Sequence, residues 1–381
     1  MKFLSILFFT FTLFEISCVE PFTPKINDYN NILVVDGKIS NAQKPYYIKL
    51  SRTSDINNPQ IIYESGAVVI ISDDEGNSEI LSESNNGVYK TSATGIQGIV
   101  GRSYKLYIKT YDHQEYETNF IKLTEPVGID SLYGLYDEQI TDESYLIHEG
   151  YQFYAQTHST SDTSLNLLWE PVETYEYHAP LPIEEYYDVE AQEFRPYPEP
   201  YRFNICYKTN SIKQIILLKI NVINNTVIHP LFFASADNQK KLSVKYSLLI
   251  NQYNINEEDY IYRNNLKNIL SQGNSFYNIQ PFQISGNIKN ITDPSKPVLG
   301  YFTVAGVSQK RIFVSPIQAS NYYDWCVPNS KRYGNIVAYG SNSKVYATRD
   351  QNGVMGTIGG SCIDCRLSGG TMQKPEYWND K

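Results

Sequence analysis

Hydrophobic and polar residues alternate in short runs along residues 31–125, and turn-forming residues separate the runs. Alternation with a period of two predicts strands with one buried face, and clusters of Gly, Asn and Asp between them predict turns. Several short strands at this spacing are typical of an immunoglobulin-like β-sandwich. The predicted strands are 32–35, 46–50, 67–71, 79–81, 87–89, 104–108 and 116–121.

A different pattern runs from residue 241 to residue 314. Residues 241–253 alternate as in a half-buried strand. Asn256 then predicts the start of a helix over 256–271, because acidic residues follow it at the positive end of the helix dipole and Gly273 can end the helix. The residues predicted for its apolar face are Tyr262, Leu266, Ile269 and Leu270.

Two apolar segments follow that helix, 297–307 and 310–314, and they predict a β-hairpin that turns at Ser308 and Gln309. Glu125 and Pro126 mark a linker. The fold class is therefore predicted as mainly β. The predicted domains are an immunoglobulin-like sandwich over 31–125 and a larger β-rich domain over 129–381 with one main helix.

Composition narrows the class of protein. A hydrophobic content of 41% is too high for a disordered chain. The formal net charge of -9 argues against a nucleic-acid partner, because no basic patch is available to neutralise phosphates. None of the 5 histidines stands at a metal-ligand spacing, so neither a metal site nor a cofactor is predicted.

The N-terminus predicts export. Met1 and Lys2 precede an apolar run that is too short to span a bilayer comfortably, as in a signal peptide over 1–17. Cys18 follows a small residue at the position where a bacterial lipoprotein is cut and acylated, which predicts lipidation of Cys18 and a tether over 18–30. The alternative is an ordinary secreted protein with an incidental cysteine, and Glu15 is an unusual residue three positions before the cysteine.

Four further cysteines, Cys206, Cys326, Cys362 and Cys365, predict two structural disulfides in an exported chain. The sequence allows three pairings and does not rank them. Cys362 and Cys365 could also form a redox pair or half of a zinc site. Thioredoxin-like chemistry would place them at a helix N-terminus, and a zinc site would require a second such pair.

The segment 175–203 is rich in proline, acid and tyrosine, which predicts a surface loop rather than a central strand. Its tyrosines form a possible partner-binding loop, namely Tyr175, Tyr177, Tyr186, Tyr187, Tyr197 and Tyr201. Its carboxylates, Glu184, Glu185, Asp188, Glu190 and Glu193, could instead supply the acid pair of a glycosidase. A solvated loop is the preferred interpretation.

The C-terminal tail, 359–378, combines turn-forming glycines with two cysteines and with the aromatic residues Tyr377 and Trp378. An exposed tail has no reason to contain such apolar anchors. We therefore expect the tail to dock near the 241–314 unit with Trp378 buried. A flexible, exposed C-terminus is the alternative.

Motifs that are each weak alone recur along most of the chain. They are Cys18–Phe22, Leu33–Gly37, Gly98–Tyr104, Leu242–Tyr246, Gly286–Ile288, Pro297–Phe302, Cys365–Thr371 and Lys374–Trp378. Taken together, these motifs resemble a family of Bacteroidetes lipoproteins catalogued as domain of unknown function 4249. The resemblance implies an envelope lipoprotein, and such proteins are often encoded beside TonB-dependent outer-membrane transporters. It brings no catalytic residues.

These observations predict a non-enzymatic lipoprotein that is anchored in the outer membrane by its N-terminal lipid. We expect it to act as an accessory or binding partner of a TonB-dependent transport system. The alternative is an envelope hydrolase that acts on glycan or peptide through the carboxylates of 175–203. The sequence leaves open whether the protein faces the cell surface or the periplasm.

Overall fold

The computed structural model describes residues 31–55, 58–140, 147–159, 164–221, 225–237, 240–271, 284–317, 326–330, 345–350 and 352–378. Strands dominate these ranges, which confirms the mainly β class. The described strands are β1 (Leu33–Ser40), β2 (Tyr47–Arg52), β3 (Ile62–Tyr63), β4 (Val68–Asp73), β5 (Ser78–Ile80), β6 (Ser82–Asn85), β7 (Val88–Lys90), β8 (Ser103–Lys109), β9 (Glu115–Thr118), β10 (Ile121–Lys122), β11 (Ser131–Ile140), β12 (Ile147–Ser159), β13 (Leu165–His178), β14 (Glu185–Asp188), β15 (Glu193–Pro196), β16 (Ile205–Ser211), β17 (Ile216–Ile220), β18 (Asn225–Ser235), β19 (Lys245–Ile255), β20 (Ile288–Asn290), β21 (Leu299–Val314), β22 (Tyr346–Arg349) and β23 (Met355–Ile358). The described α-helix is α1 (Glu257–Ser271), and Gly360–Cys362 and Cys365–Ser368 are short 3-10 helices.

The strands form four sheets. The largest has the order β16-β13-β19-β21-β1-β2-β7-β6, with β17 beside β13 and β3 beside β2. A second sheet has the order β20-β9-β8-β4-β5, with β10 beside β8. The third has the order β11-β12-β18, and the fourth the order β15-β14-β22-β23.

A first hydrophobic core, the N-terminal core, lies between the second sheet and the β1 side of the largest sheet. Alternate residues face inward, as the sequence pattern predicts: in β8, Tyr104, Leu106 and Ile108 are all fully buried. They meet Val35 and Phe302 from the opposite sheet. The predicted strands of residues 31–125 correspond to strands of the structure, whereas an immunoglobulin-like topology stays a prediction.

The N-terminal core is completed by strands from far along the chain. β20 pairs with β9, and the first half of β21 pairs in parallel with β1, Val34 opposite Leu299. The division of the chain at 125–129 stays a prediction, but pairing crosses that point. The sequence pattern did not indicate this return of the chain, because local alternation carries no information about partners.

The hairpin predicted at Ser308 and Gln309 is wrong. β21 runs without a turn through both residues, which pair with Gln252 and Asn251 of β19. Ser308 and Gln309 are polar and therefore resembled turn residues. The first half of β21 nevertheless pairs with β1, and the second half pairs with β19. Backbone pairing on both halves keeps the strand extended.

A second hydrophobic core, the C-terminal core, lies between β13, β16 and β19 on one side and β11, β12 and β18 on the other. Phe153, Trp169 and Tyr246 are its large, fully buried members. β13 is buried along most of its length, because it is covered on both faces and paired on both edges. A buried strand of this kind lacks the clean alternation of an exposed one.

The helix begins as predicted, since the Asn256 side chain accepts a hydrogen bond from the Asp259 backbone N–H at 2.8 Å. The predicted apolar face is wrong at its end: Ile269 and Leu270 are 39% and 66% exposed. The helix is held instead by polar contacts at its start. The buried Asp259 carboxylate bonds Arg263 and accepts from the Thr303 hydroxyl at 2.6 Å. The predicted helix end at Gly273 lies outside the described residues.

Candidate functional site

The predicted signal peptide, Cys18 and the tether lie at residues 1–30, outside the described part of the chain. Across the ranges that are described, no helix is long and apolar enough to cross a membrane. Lipidation of Cys18 therefore stays a prediction.

The four remaining cysteines form two disulfides, which confirms the structural prediction. Cys206 pairs with Cys365 across 159 residues, and Cys326 pairs with Cys362 across 36 residues. The first bond ties the tail to β16 inside the C-terminal core, where both cysteines are fully buried. The two neighbours Cys362 and Cys365 thus fasten the tail to two different segments rather than to each other.

The tail docks as expected. Trp378 is buried and packs against Tyr207 and Phe313 with ring centroids 5.5 and 5.4 Å away, and its indole N–H donates to Glu176 at 3.0 Å. The contact with Phe313 of β21 places the tail on the 241–314 unit, as predicted. The tail is part of the folded structure.

Two of the six predicted partner-binding tyrosines are not on a surface. Tyr175 and Tyr177 belong to β13, both are buried, and the hydroxyl of Tyr177 donates to the carbonyl of Cys365 at 2.5 Å. Burial, followed by the nearby charge of Glu173, raises the pKa of Tyr175 to about 12. The loop prediction fails here because the prolines that suggested it begin only at Pro180, after the strand has ended.

The next part of the same segment folds into a small sheet that we call the aromatic sheet, β14, β15, β22 and β23. The prediction that 175–203 contains no central strand is wrong, because β14 pairs with β15 on one side and with β22 on the other. β14 holds no proline; the prolines flank it. The prolines on either side of this four-residue strand are typical of turns, so the composition did not indicate the strand.

Tyrosines cluster on the aromatic sheet. Tyr186, Tyr197 and Tyr346 stack edge to face in a row, with centroid distances of 6.2 and 6.0 Å, and Tyr187 meets Phe194 in the same manner at 5.4 Å. All five rings are half-buried. Edge-to-face packing fixes the rings while leaving part of each exposed to solvent.

Beside this row, Tyr201 is 69% exposed. Its neighbour Phe203 lies under the guanidinium of Arg366 at 3.7 Å, and Arg366 bonds Asp364 at 2.8 Å. Hydrogen bonding from Arg366 holds the pKa of Asp364 below its usual value. The 3-10 helix Cys365–Ser368 thereby joins the docked tail to the segment between β15 and β16.

Three of the five predicted carboxylates of this segment, Glu184, Asp188 and Glu193, have arginine partners. Glu184 bonds Arg349 at 3.0 Å, and Arg195 lies between Asp188 and Glu193 at 3.3 and 3.1 Å. Asp188 also accepts from the backbone N–H of Glu190 at the turn between β14 and β15. The Arg195 contacts hold the β14–β15 hairpin together, and the Arg349 contact joins the segment before β14 to β22.

A second candidate region, which the sequence did not indicate, is a polar cleft of about 710 Å³ where the N-terminal part meets the start of α1. Its wall includes Asn166, which is almost fully buried and whose amide donates to Glu257 at 3.0 Å while its Oδ1 has no hydrogen-bond partner. Five separate segments contribute to the wall, so no local motif marks it. Among the residues that the structure describes, no group of three or more His, Cys, Asp or Glu side chains is arranged to hold a metal ion.

Residues 19–311 match the model of a family described as "Domain of unknown function (DUF4249)". The match covers more than half of the chain. No curated protein matches the sequence.

Proposed function

The chain belongs to the family of unknown function DUF4249, and on that premise we propose that it is a non-enzymatic, lipid-anchored protein of the outer membrane. It serves as an accessory of a TonB-dependent transport system and holds its partner through the aromatic sheet. The lipid on Cys18 and the tether that follows place the folded part close to the membrane.

The arrangement of the aromatic sheet carries this proposal. Its tyrosines combine a large apolar surface with a polar hydroxyl, a combination enriched in the central residues of protein interfaces. Their rings are also pre-organised, since Tyr186, Tyr197 and Tyr346 brace one another. A rigid aromatic surface loses little side-chain entropy when it binds.

The disulfides support the same proposal. Cys362 is bonded to Cys326, and its backbone carbonyl accepts from the N–H of Leu181, just before β14. Asn329, near Cys326, pairs with Thr357 of β23. Covalent links at the base of the aromatic sheet keep it in one orientation, as a docking surface requires.

The test is a pull-down of the full-length protein from detergent-solubilised membranes. We expect a stoichiometric outer-membrane transporter with the wild type, and at least a tenfold loss of it when Tyr186→Ala and Tyr197→Ala are combined, because two anchors of about 1–2 kcal/mol each would be removed. Tyr111→Ala is the matched control, since Tyr111 is 83% exposed and lies in the turn between β8 and β9.

Equal recovery with the double variant and the wild type would exclude the aromatic sheet as the docking surface. Hydrolysis of glycan or peptide by the purified protein, lost in Glu184→Gln or Glu185→Gln, would support the hydrolase alternative instead. Anchoring is tested separately, because Cys18→Ser should move the protein from the membrane to the soluble envelope fraction.

A further inference from the structure

A buried carboxylate lies between an amine and an amide in the C-terminal core. Glu173 of β13 is only 2% exposed. Its Oε1 is 2.8 Å from the Lys241 Nζ and also accepts a hydrogen bond from the Asn210 Nδ2 at 3.2 Å. The Lys241 amine and the Asn210 amide thus contact the same Glu173 oxygen. The distance from Nζ to Nδ2 is therefore no larger than the sum of these two contact distances.

Strand pairing brings Glu173, Asn210 and Lys241 together. Asn210 of β16 stands directly opposite Glu173 in the antiparallel pair, so the two side chains project from the same face. Lys241 comes from the other side, just before β19, which is the opposite neighbour of β13. The lysine and the asparagine therefore approach each other across the central strand, with Glu173 beneath them.

The surroundings keep water away from the carboxylate. Its second oxygen accepts from the Tyr246 hydroxyl at 3.0 Å, and Tyr175 and Tyr246 are both buried in the C-terminal core. Burial and the charge of Glu173 raise the pKa of Tyr246 far above its usual value, so that it stays a neutral donor. Lys241 is partly open to solvent, which leaves an exit for a small leaving group.

We propose that Lys241 and Asn210 form an intramolecular amide bond, with Glu173 as the residue that moves the protons. The Lys241 ammonium gives a proton to Glu173, and the resulting neutral amine attacks the Asn210 carboxamide carbon, so that a new C–N bond forms. The bond from that carbon to Nδ2 breaks, and its electron pair leaves with the nitrogen.

The step needs no other reactant. Nζ loses two protons in all, and both pass to the departing nitrogen by way of Glu173, which ends in its starting charge state. Lysine ammonium and a carboxamide thus become an amide and an ammonium ion. No oxidant is consumed, so the cross-link would persist when the disulfides are reduced.

Peptide mapping of the full-length, reduced and alkylated protein tests the proposal. Trypsin cuts after Lys208 and Lys213 and after Lys240 and Lys245, and the modified Lys241 resists cleavage. We expect the peptide 209–213 linked to the peptide 241–245, lighter than their sum by one ammonia. The unlinked peptide 209–213 should be nearly absent.

Three variants sharpen the test. Lys241→Arg keeps the positive charge beside Glu173 but cannot form the amide, and its peptide 209–213 should appear entirely unlinked. Glu173→Gln removes the proton carrier and should also leave the peptides unlinked. Lys240→Arg is the control, since Lys240 bonds Ser368 instead, and its link should form as in the wild type.

Unlinked 209–213 in stoichiometric amount from correctly folded wild-type protein would overturn the proposal and leave the three residues as an ion pair with a hydrogen bond. A link that forms fully in Glu173→Gln would overturn the role given to Glu173. The wild type and Lys241→Arg together decide whether the amide bond forms. That result does not depend on whether Glu173→Gln folds.

Discussion

The N-terminal and C-terminal cores are both closed between β-sheets, but they are closed by different means. In the N-terminal core, buried tyrosine hydroxyls bond nearby backbone, such as Tyr46 to the Ser40 carbonyl at 2.6 Å and Tyr104 to the Gln97 carbonyl at 2.9 Å. In the C-terminal core a carboxylate, a disulfide and the docked tail are buried.

This difference shows two ways to complete a β core in one chain. The N-terminal core uses backbone pairing, with β20 and β21 filling the places that its own strands leave open. The C-terminal core uses side chains and a covalent bond between segments far apart in sequence. Damage to the tail should therefore affect the C-terminal core, and damage to the first half of β21, which pairs with β1, should affect the N-terminal core.

Deleting residues 360–381 should cause the largest loss of stability, and the loss should fall on the C-terminal core. The deletion removes Cys362, Cys365 and Trp378, hence both disulfides and the buried indole. A lost disulfide costs about 2–5 kcal/mol and a lost buried tryptophan about 3–5 kcal/mol, which together approach the whole stability of a domain. We expect the C-terminal core to unfold at much lower temperature.

Tryptophan fluorescence can follow this change, because Trp169, Trp325 and Trp378 all lie in the C-terminal part of the sequence. Hydrogen exchange in residues 33–40 reports the N-terminal core in the same sample. If the truncated and full-length proteins melt at the same temperature, the tail does not close the C-terminal core.

Replacing Trp378 alone should have the next largest effect. Trp378→Ala leaves a cavity against Tyr207 and Phe313 and leaves the partly buried Glu176 oxygen without its indole donor, which costs about 3–5 kcal/mol. Trp378→Phe keeps most of the apolar contact and should recover most of that loss. Urea unfolding followed by Trp169 fluorescence measures both variants, and equal midpoints for wild type and Trp378→Ala would show that the docked indole contributes nothing.

Gly300→Ala should act on the other core. Gly300 has a φ of +93°, and a Cβ there would lie 1.9 Å from the Val35 carbonyl oxygen, where β21 pairs with β1. We expect a loss of about 2–4 kcal/mol, from the positive φ and from the displaced strand. Gly76→Ala is the matched control, because Gly76 has a φ of +90° and open space around it.

Amide exchange in β1 should rise in Gly300→Ala and stay low in Gly76→Ala, while the C-terminal core keeps its protection. Equal exchange in the two variants would mean that φ alone matters and that the pairing of β21 with β1 does not close the N-terminal core.

The sequence was informative where structure is local. The strands around Tyr104 and Ile108, the cap at Asn256 and the burial of Trp378 follow from alternation, capping chemistry and the cost of exposing an indole. The sequence predictions failed where a strand pairs with segments that are far away along the chain. Tyr177 looked like a loop residue because of prolines that come after its strand, and Ser308 looked like a turn because β1 and β19 are invisible in the local pattern.

The candidate site was predicted in part for the same reason. Tyr186, Tyr187 and Tyr197 were found by their density in the sequence, but Tyr346, which extends their row, lies some 150 residues further along. Glu173, Asn210 and Lys241 form no motif, because three different strands or their flanks bring them together. Only the register of β13 with β16 and β19 reveals them.

The smallest predicted effect is a pH dependence confined to the C-terminal core. The His229 ring on β18 stacks on the buried Trp169 with centroids 4.9 Å apart and planes 9° apart. Burial, followed by repulsion from Lys267, lowers the pKa of His229 below 6.5. The folded protein therefore holds this proton less tightly than the unfolded chain does, and the stability is fully present above pH 6.5 and falls as the pH drops through the folded pKa. In the N-terminal part of the chain, by contrast, Asp73 and the exposed Glu83 have pKa values below their ordinary 3.8 and 4.5, so their contribution to stability is lost only in stronger acid. Between about pH 7 and 5, where an unperturbed histidine titrates, the C-terminal core should weaken first.

Urea midpoints followed by tryptophan fluorescence at the two pH values should differ in the wild type, and His229→Phe, which keeps the ring stacking, should reduce the difference. If the two proteins lose the same stability between these pH values, the stacked histidine is not the group responsible.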